Sequence, residues 1–149
     1  MLMFYTSYTS AINKPSSTPP LTLPQIWAGL QRKIRHAQEF VPVISSCTVL
    51  SDSNGVVVRD VTFKEGAGPK PQARETVRSY WPSWVVFEQE DGTCIRNVVS
   101  EGPGEDGVEG LYMTYMFEFR LEGVEEGSEE AEKEKKRLKG VSGLADSFG

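Results

Sequence analysis

Four polar side chains alternate with apolar residues in stretches that have the period of a β-strand. They are Arg59, Gln89, Asn97 and Tyr115. Because residues two apart lie on the same face of a strand, Arg59 would point the same way as Val57 and Val61, and the other three have similar neighbours. A polar or charged group on a buried face costs several kcal/mol unless it is paired or serves a site. The pattern therefore predicts a polar spot inside an apolar chamber.

A second set of residues has the opposite phase along two of the same stretches. Arg78 alternates with Tyr80, and Glu88 alternates with Trp84 and Val86. A twisted sheet that contains a bulge can exchange its two faces. Either set is therefore a candidate for the lining of the chamber.

These residue types suit chemistry on a carbonyl compound. Arg59 would supply a positive charge for a developing oxyanion, and Tyr115 and Asn97 would supply hydrogen-bond donors. Glu88 would be the base, provided that its carboxylate faces inward. We expect the guanidinium of Arg59 to be held by a partner such as Glu88, Asn97 or a tyrosine hydroxyl.

Other kinds of site find little support in the sequence. The only histidine, His36, falls on the polar side of a predicted helix, where we interpret it as solvated. No Ser-His-Asp set is available for covalent acyl transfer, and His36 has no cysteine or histidine at metal-ligand spacing. Cys47 and Cys94 do not form a close pair and are expected to be reduced thiols. We predict neither a metal nor a cofactor.

The length and charge of the chain limit its class. Its 149 residues suit a single domain, 1–149, and its formal net charge is -5. The acidic excess lies between Glu118 and Glu134, so no basic groove for nucleic acid is expected. The absence of a long apolar stretch and of a secretory signal favours a protein without a membrane span and a cytoplasmic location.

The strands that would position the polar side chains are separated by turn residues. Asn54-Gly55 and Asp91-Gly92 are dipeptides typical of tight hairpin turns. The most strand-like stretch is the last, whose odd positions are all apolar or aromatic. Loops are predicted at 66–72 and 102–107. The predicted strands are Phe4–Ile12, Ile44–Leu50, Val56–Phe63, Glu75–Trp81, Trp84–Gln89, Thr93–Ser100 and Leu111–Phe119.

The first predicted helix lies between the first two strands. Thr22 at a cap position and Pro24 just inside it indicate the start, and Pro42 ends the helix. A stripe with a spacing of about 3.6 residues would be buried. Its members are Leu23, Ile26, Trp27, Leu30, Ile34, Ala37 and Val41.

The same helix carries a basic cluster, and a second helix follows the strands. We interpret Arg32, Lys33 and Arg35 as a solvated face, the alternative being a contact for an anionic ligand or a carrier protein. The second helix is predicted in 123–138, within a C-terminal segment, 123–149, that is truncated or frayed at its end. Its apolar stripe is thin, because it contains little beyond Val124, Ala131 and Leu138.

Three stretches of the chain resemble an uncharacterised fungal and bacterial family within the SRPBCC (START-like, birch-pollen-allergen-like) superfamily. They are Leu21–Ser46, Phe87–Gly92 and Leu111–Tyr115. The order of one strand, a helix, a six-stranded antiparallel meander and a helix is also typical of the α+β helix-grip architecture. The resemblance implies a curved antiparallel sheet around a C-terminal helix, with an internal apolar cavity for a hydrophobic small molecule. The chain departs from this pattern after Lys139, where the apolar stripe of the last helix stops early.

The superfamily includes lipid carriers, hormone receptors and aromatic polyketide cyclases, and some fungal relatives act as lactonising cyclases that form α-pyrones. The resemblance thus implies a cofactor-independent polyketide cyclase of fungal secondary metabolism. Its substrate would be a polyketide, and its candidate partners would be a polyketide synthase and a second copy of the chain as a homodimer. The alternatives are a non-catalytic carrier of a lipid or other hydrophobic metabolite, and an interaction domain with a filled core.

The cyclase hypothesis gives the polar residues their roles. Arg59, Glu88, Asn97 and Tyr115 would be catalytic, while the chamber would exclude water and hold the substrate chain bent. The predicted ligand-binding residues come from the first helix and from both strand phases. They are Trp27, Arg78, Tyr80, Phe87, Gln89, Met113 and Phe117.

Overall fold

The computed structural model describes residues 1–13, 19–67, 70–104 and 109–144, with the side chains of 109 and 141–144 left out. These residues form seven strands, two α-helices and one turn of 3-10 helix at Ala37–Glu39. The strands are β1 (Leu2–Ala11), β2 (Ile44–Ser53), β3 (Val56–Phe63), β4 (Gln72–Tyr80), β5 (Trp84–Gln89), β6 (Cys94–Pro103) and β7 (Glu109–Leu121). The helices are α1 (Leu23–Arg35) and α2 (Glu129–Leu144).

The strands form one antiparallel sheet in the order β1-β7-β6-β5-β4-β3-β2. Six strands follow one another as a meander, and β1 joins the sheet beside β7, which is the last strand of the chain. The sheet curves around the C-terminal helix, so the α+β helix-grip fold predicted from the sequence is confirmed. The helix α2 packs against β1, and α1 packs beside the other end of the sheet near β2.

The strand β7 contributes several large buried side chains to the core. Its residues Met113, Tyr115 and Phe117 are buried on the inner face, while Met116 lies exposed on the outer face. Ten residues of β7 pair with β1 and ten pair with β6. Along β7, the alternation of apolar and polar residues in the sequence therefore matches the alternation of buried and more exposed side chains. The flanking 105–108, where part of a turn was predicted, lie outside the described residues.

The predicted hairpins form at the expected dipeptides, although several strands are longer than predicted. Asn54 and Gly55 both have positive φ angles, of 54° and 74°, and join β2 to β3. This is the backbone conformation that a two-residue turn needs to match the twist of its strands. The strand β4 begins at Gln72 within a predicted loop, and β6 extends to Pro103, because each continues a ladder that its neighbour already provides.

The helix α1 begins as predicted and ends earlier. Thr22 and Gln25 form a capping box, in which the Gln25 N–H donates to Thr22 Oγ1 (3.4 Å) and the Thr22 N–H donates to Gln25 Oε1 (2.9 Å). The predicted end at Pro42 is wrong, because the helix ends at Arg35 and His36 leaves it with ψ of 54°. The carbonyls of the last turn then accept hydrogen bonds from Arg59 instead of from a further turn of helix.

The helix α2 begins later than predicted and continues further. The chain turns at Gly123 and Gly127, both with positive φ, and the hydroxyl of Ser128 accepts from the Ala131 N–H (3.1 Å) before the helix begins at Glu129. Ala131 and Leu138 are buried, which confirms that the apolar stripe is thin. Neither helix of the described residues is long and apolar enough to cross a membrane.

The inner face of α1 offers a test of its packing. Leu30 is fully buried, so Leu30→Ala is expected to lower the free energy of unfolding by roughly 2 to 5 kcal/mol through lost contacts and a residual cavity. Urea denaturation followed by circular dichroism measures this change. The matched control is Leu50→Ala on β2, where the side chain is 47% exposed and the expected change is under about 0.5 kcal/mol. Equal losses in the two variants would contradict this account of the core.

Candidate functional site

A pocket lies between the end of α1, the inner face of the sheet and α2. Its volume is about 100 Å³. Small-molecule sites usually measure roughly 300 to 1,000 Å³, so the spacious cavity implied by the sequence is not confirmed. Its apolar lining comes from Val41, Val43, Ile44, Phe63, Ala67, Phe87, Ile95, Phe117, Phe119 and Leu138. Its polar lining comes from Lys33, Arg59, Lys70, Glu75, Gln89, Thr93 and Asn97.

The burial of the lining residues indicates where the pocket opens. Phe87, Phe117 and Leu138 are buried and form its interior. Val43 and Phe63, with other partly exposed residues of the loops beside β2 and β3, lie on the side towards solvent. The pocket thus has buried aromatic and polar residues in its interior, and its partly exposed lining residues are mostly apolar, with Lys70 as a charged exception.

Lys33 and Asn97 meet on one wall of the pocket. The side chain of Lys33 projects from the buried face of α1 and is 5% exposed, while Asn97 on β6 is 1% exposed. Lys33 Nζ donates to Asn97 Oδ1 at 2.9 Å and lies 5.0 Å from the centre of the Tyr115 ring. Asn97 and Tyr115 are directly paired across β6 and β7, so the sheet register places both beneath the lysine. The wall therefore presents a buried ammonium group held by an amide oxygen and an aromatic face.

A second polar group crosses three neighbouring strands. Arg59 Nε and Nη2 donate to Glu75 Oε1 at 3.0 and 2.7 Å, and Gln89 Nε2 donates to Glu75 Oε2 at 3.0 Å. Arg59 and Glu75 are each 3% exposed. The register pairs Arg59 with Glu75 and Glu75 with Gln89, which explains why residues far apart in sequence meet. The guanidinium carbon also lies 4.9 Å from the centre of the Phe87 ring.

Arg59 connects this ion pair to the end of α1. Its Nη1 donates to the backbone carbonyls of Lys33 (3.1 Å) and Ile34 (2.7 Å). The last carbonyls of a helix have no partner within the helix and carry the negative end of its dipole, so a cation there is stabilising. The ion pair on the sheet thereby holds the backbone of the residue that carries the buried ammonium group.

The structure divides the predicted site residues between the pocket and the rest of the molecule. Arg59, Asn97, Phe87, Gln89 and Phe117 line the pocket. Tyr115 lies under Lys33, and Met113 is buried in the core on the same strand. Trp27 packs edge-on against Trp81 at the other end of α1, and Tyr80 is 46% exposed.

Glu88 and Arg78 lie on the outer face of the sheet. The Glu88 carboxylate is 51% exposed and meets Arg78 Nη1 at 3.4 Å. On β5 the buried neighbours Val85 and Phe87 have the inward phase, so Glu88 points away from the pocket. It therefore does not meet the condition on which its predicted role as a base depended, and Arg59 is held by Glu75 rather than by any of the partners expected from the sequence.

Lys33 and Glu75 were missed as site residues, although each had a signal in the sequence. Lys33 lies three residues after Leu30, on the apolar stripe of α1, and the interpretation of it as solvated is wrong. That interpretation fits Arg32, which forms an exposed ion pair with Glu39, and it fits His36, which is exposed at the helix end. Glu75 alternates with Ala73 and Val77, the same pattern that singled out Arg59.

Comparisons with known proteins place the chain among relatives from biosynthetic clusters. The sequence model of the family AtaL, acetylaranotin biosynthesis cluster protein L, matches residues 6–147. Acetylaranotin biosynthesis cluster protein L of Aspergillus terreus (strain NIH 2624 / FGSC A1156) is 29% identical over 130 residues, which cover 86% of this chain and 73% of the relative.

Two solved structures have a similar fold at low sequence identity. The Zhui aromatase/cyclase from Streptomyces sp. R1128 has a TM-score of 0.63 and 13% identity, with 97% of this chain and 89% of that chain covered. The di-domain ARO/CYC StfQ from the steffimycin biosynthetic pathway has a TM-score of 0.64 and 12% identity, with 99% of this chain and 50% of that chain covered. At these identities the likeness shows the fold.

Removal of one partner of the buried ion pair is expected to cause a large loss of stability, and removal of the second partner is expected to recover part of it. Arg59→Met leaves the Glu75 carboxylate buried without its cation, so we expect a loss of about 3 to 5 kcal/mol in the free energy of unfolding. The double variant Arg59→Met with Glu75→Met removes both charges and is expected to recover part of this loss. Urea denaturation of the wild type, Arg59→Met, Glu75→Met and the double variant measures the coupling between the two residues.

The control for this cycle is an exposed ion pair on the same two strands. Arg74 and Asp60 meet at 2.8 Å with half-exposed side chains, and Arg74→Met is expected to leave the urea midpoint almost unchanged. A double variant of Arg59 and Glu75 that is less stable than Arg59→Met alone would contradict the role assigned to the pair.

Proposed function

The chain belongs to the AtaL family, that of acetylaranotin biosynthesis cluster protein L, and on this premise we propose that it is a polyketide cyclase that closes an α-pyrone ring by lactonisation. Solved structures with the same fold include aromatase/cyclases. The observation that carries the proposal is the buried ammonium group of Lys33 on the wall of an otherwise mostly apolar pocket. The substrate would be a short poly-β-keto chain carried as a thioester.

The two kinds of lining would perform different tasks. The aromatic interior made by Phe87, Phe117 and Phe119 would hold the chain bent and exclude water. Lys33 would stabilise the negative charge that develops on an enolate oxygen, because a fixed cation in a water-poor site interacts strongly with such a charge. Asn97, whose Oδ1 accepts from Lys33 Nζ, would orient that cation.

The reaction needs no redox step. A 1,3-dicarbonyl chain enolises readily, and the enolate oxygen at C5 attacks the thioester carbonyl at C1. The new C–O bond closes the six-membered ring, the C–S bond breaks, and the thiolate takes up the proton that the enol lost. Arg59 and Glu75 have no direct part in this scheme, because each already binds the other inside the wall.

A non-catalytic carrier of a hydrophobic metabolite is the second candidate. The specific observation in its favour is the apolar character of most of the pocket lining. Native mass spectrometry of the purified protein separates the candidates. A bound metabolite that leaves with its mass unchanged, in a protein that turns over no thioester, would favour the carrier.

Cyclisation of a model triketide tests the proposal. The N-acetylcysteamine thioester of 3,5-dioxohexanoic acid is a short model substrate that can close this ring. We expect the protein to accelerate release of 4-hydroxy-6-methyl-2-pyrone above the spontaneous rate, measured by liquid chromatography with mass spectrometry. Lys33→Met is expected to lower kcat by about 10²-fold, the usual effect of removing one group that stabilises an oxyanion.

The matched control is Lys136→Met, which removes an exposed lysine from α2. This variant should retain the wild-type rate. Pyrone formation at the spontaneous rate with the wild-type protein, or an undiminished rate in a folded Lys33→Met variant, would refute the proposed role of Lys33.

A further inference from the structure

Lys33 has a long and flexible side chain, so its direction depends on what holds its two ends. At the tip, Nζ is bonded to Asn97 Oδ1 at 2.9 Å. At the base, the carbonyl of Lys33 itself and that of Ile34 accept from Arg59 Nη1 at 3.1 and 2.7 Å. Because Lys33 lies in the last turn of α1, a rotation of that turn would displace Nζ from the pocket wall.

The direction of the Arg59 guanidinium is set in turn by Glu75. The guanidinium is planar and rigid, so fixing two of its nitrogens fixes the third. Glu75 Oε1 binds Nε and Nη2, which leaves Nη1 aimed at the helix end. The ring of Phe87 lies against one face of the plane, and Gln89 holds the second oxygen of Glu75.

We propose that Glu75 is a positioning residue for the ammonium group of Lys33, acting through Arg59 and the last turn of α1. This inference rests on the proposed function and deepens it, since it names the device that keeps the oxyanion-stabilising group in place. Glu75 itself does not contact the reacting atoms. Its carboxylate orients Arg59, Arg59 orients the helix end, and the helix end aims Lys33.

Glu75→Gln is the variant that tests this chain of contacts. The amide has the size of the carboxylate and still accepts a hydrogen bond from Arg59, but it lacks the charge that binds two nitrogens of the guanidinium firmly. With the model triketide thioester we expect kcat to fall about 10-fold or more while KM changes little, on the scale of the 10 to 100-fold losses caused by removing residues that support metal ligands. The matched control is Asp60→Asn, which neutralises the exposed carboxylate paired with Arg74 and should leave kcat unchanged.

A second readout does not depend on turnover. In protein labelled with ¹³C-lysine, the two Hε protons of a side chain held in one direction have different chemical shifts. The Lys33 signal is assigned by its loss in Lys33→Met. We expect two resolved Hε shifts in the wild type and in Asp60→Asn, and a single averaged shift in Glu75→Gln.

The two readouts separate this inference from the proposed function. Absence of pyrone formation in the wild type refutes the cyclase, whereas the Hε shifts still decide the positioning role. Resolved Lys33 Hε shifts in a folded Glu75→Gln variant would overturn the inference. If Glu75→Gln does not fold, Glu75→Asp is tested instead, because it keeps the negative charge but its shorter side chain withdraws the carboxylate from Arg59. Averaged Lys33 Hε shifts in that variant would support the positioning role. Shifts like those of the wild type would overturn it.

Discussion

The buried ion pair between Arg59 and Glu75 is the constraint on which the site depends. Removing two charges from water is costly, and the cost is offset only where the geometry is good and the remaining donors and acceptors are satisfied. Here Glu75 receives two bonds from Arg59 and one from Gln89, while Arg59 also bonds two helix carbonyls. The sheet and the end of α1 are therefore joined by one group of polar contacts, and neither can shift without breaking it.

The position of that ion pair explains the shape of the pocket. The helix α1 ends at Arg35, well before Pro42, and Arg59 binds two carbonyls of its last turn, after which the chain turns towards β2. The space beyond the helix end is lined by apolar residues of the sheet and by Leu138 of α2. Lys33 enters this space from the last turn of the helix. A small apolar pocket with one buried ammonium group is the result, and it suits stabilisation of an enolate better than recognition of a large polar ligand.

The chain belongs to the AtaL family, and it shares its fold with aromatase/cyclases. The site adds a chemical argument for the proposed ring closure, because that reaction requires a bent chain, little water and a cation near the enolate oxygen. The carrier hypothesis needs only the apolar walls. Lys33 is thus the residue on which the two hypotheses differ.

The sequence by itself left open which of the two strand phases faces inward, but it determined the fold class, the order of the elements along the chain and the start of α1. These follow from local rules: side-chain alternation, turn dipeptides and capping residues act within a few positions of the chain. Only the tertiary structure decided that Glu75 is the partner of Arg59, that Glu88 faces outward and that Lys33 enters the pocket. The partner depends on cross-strand register, and the arginine that binds the last turn of α1 lies 25 residues beyond Ile34. Contacts between residues so far apart are set by the packing of whole elements, which no local pattern records.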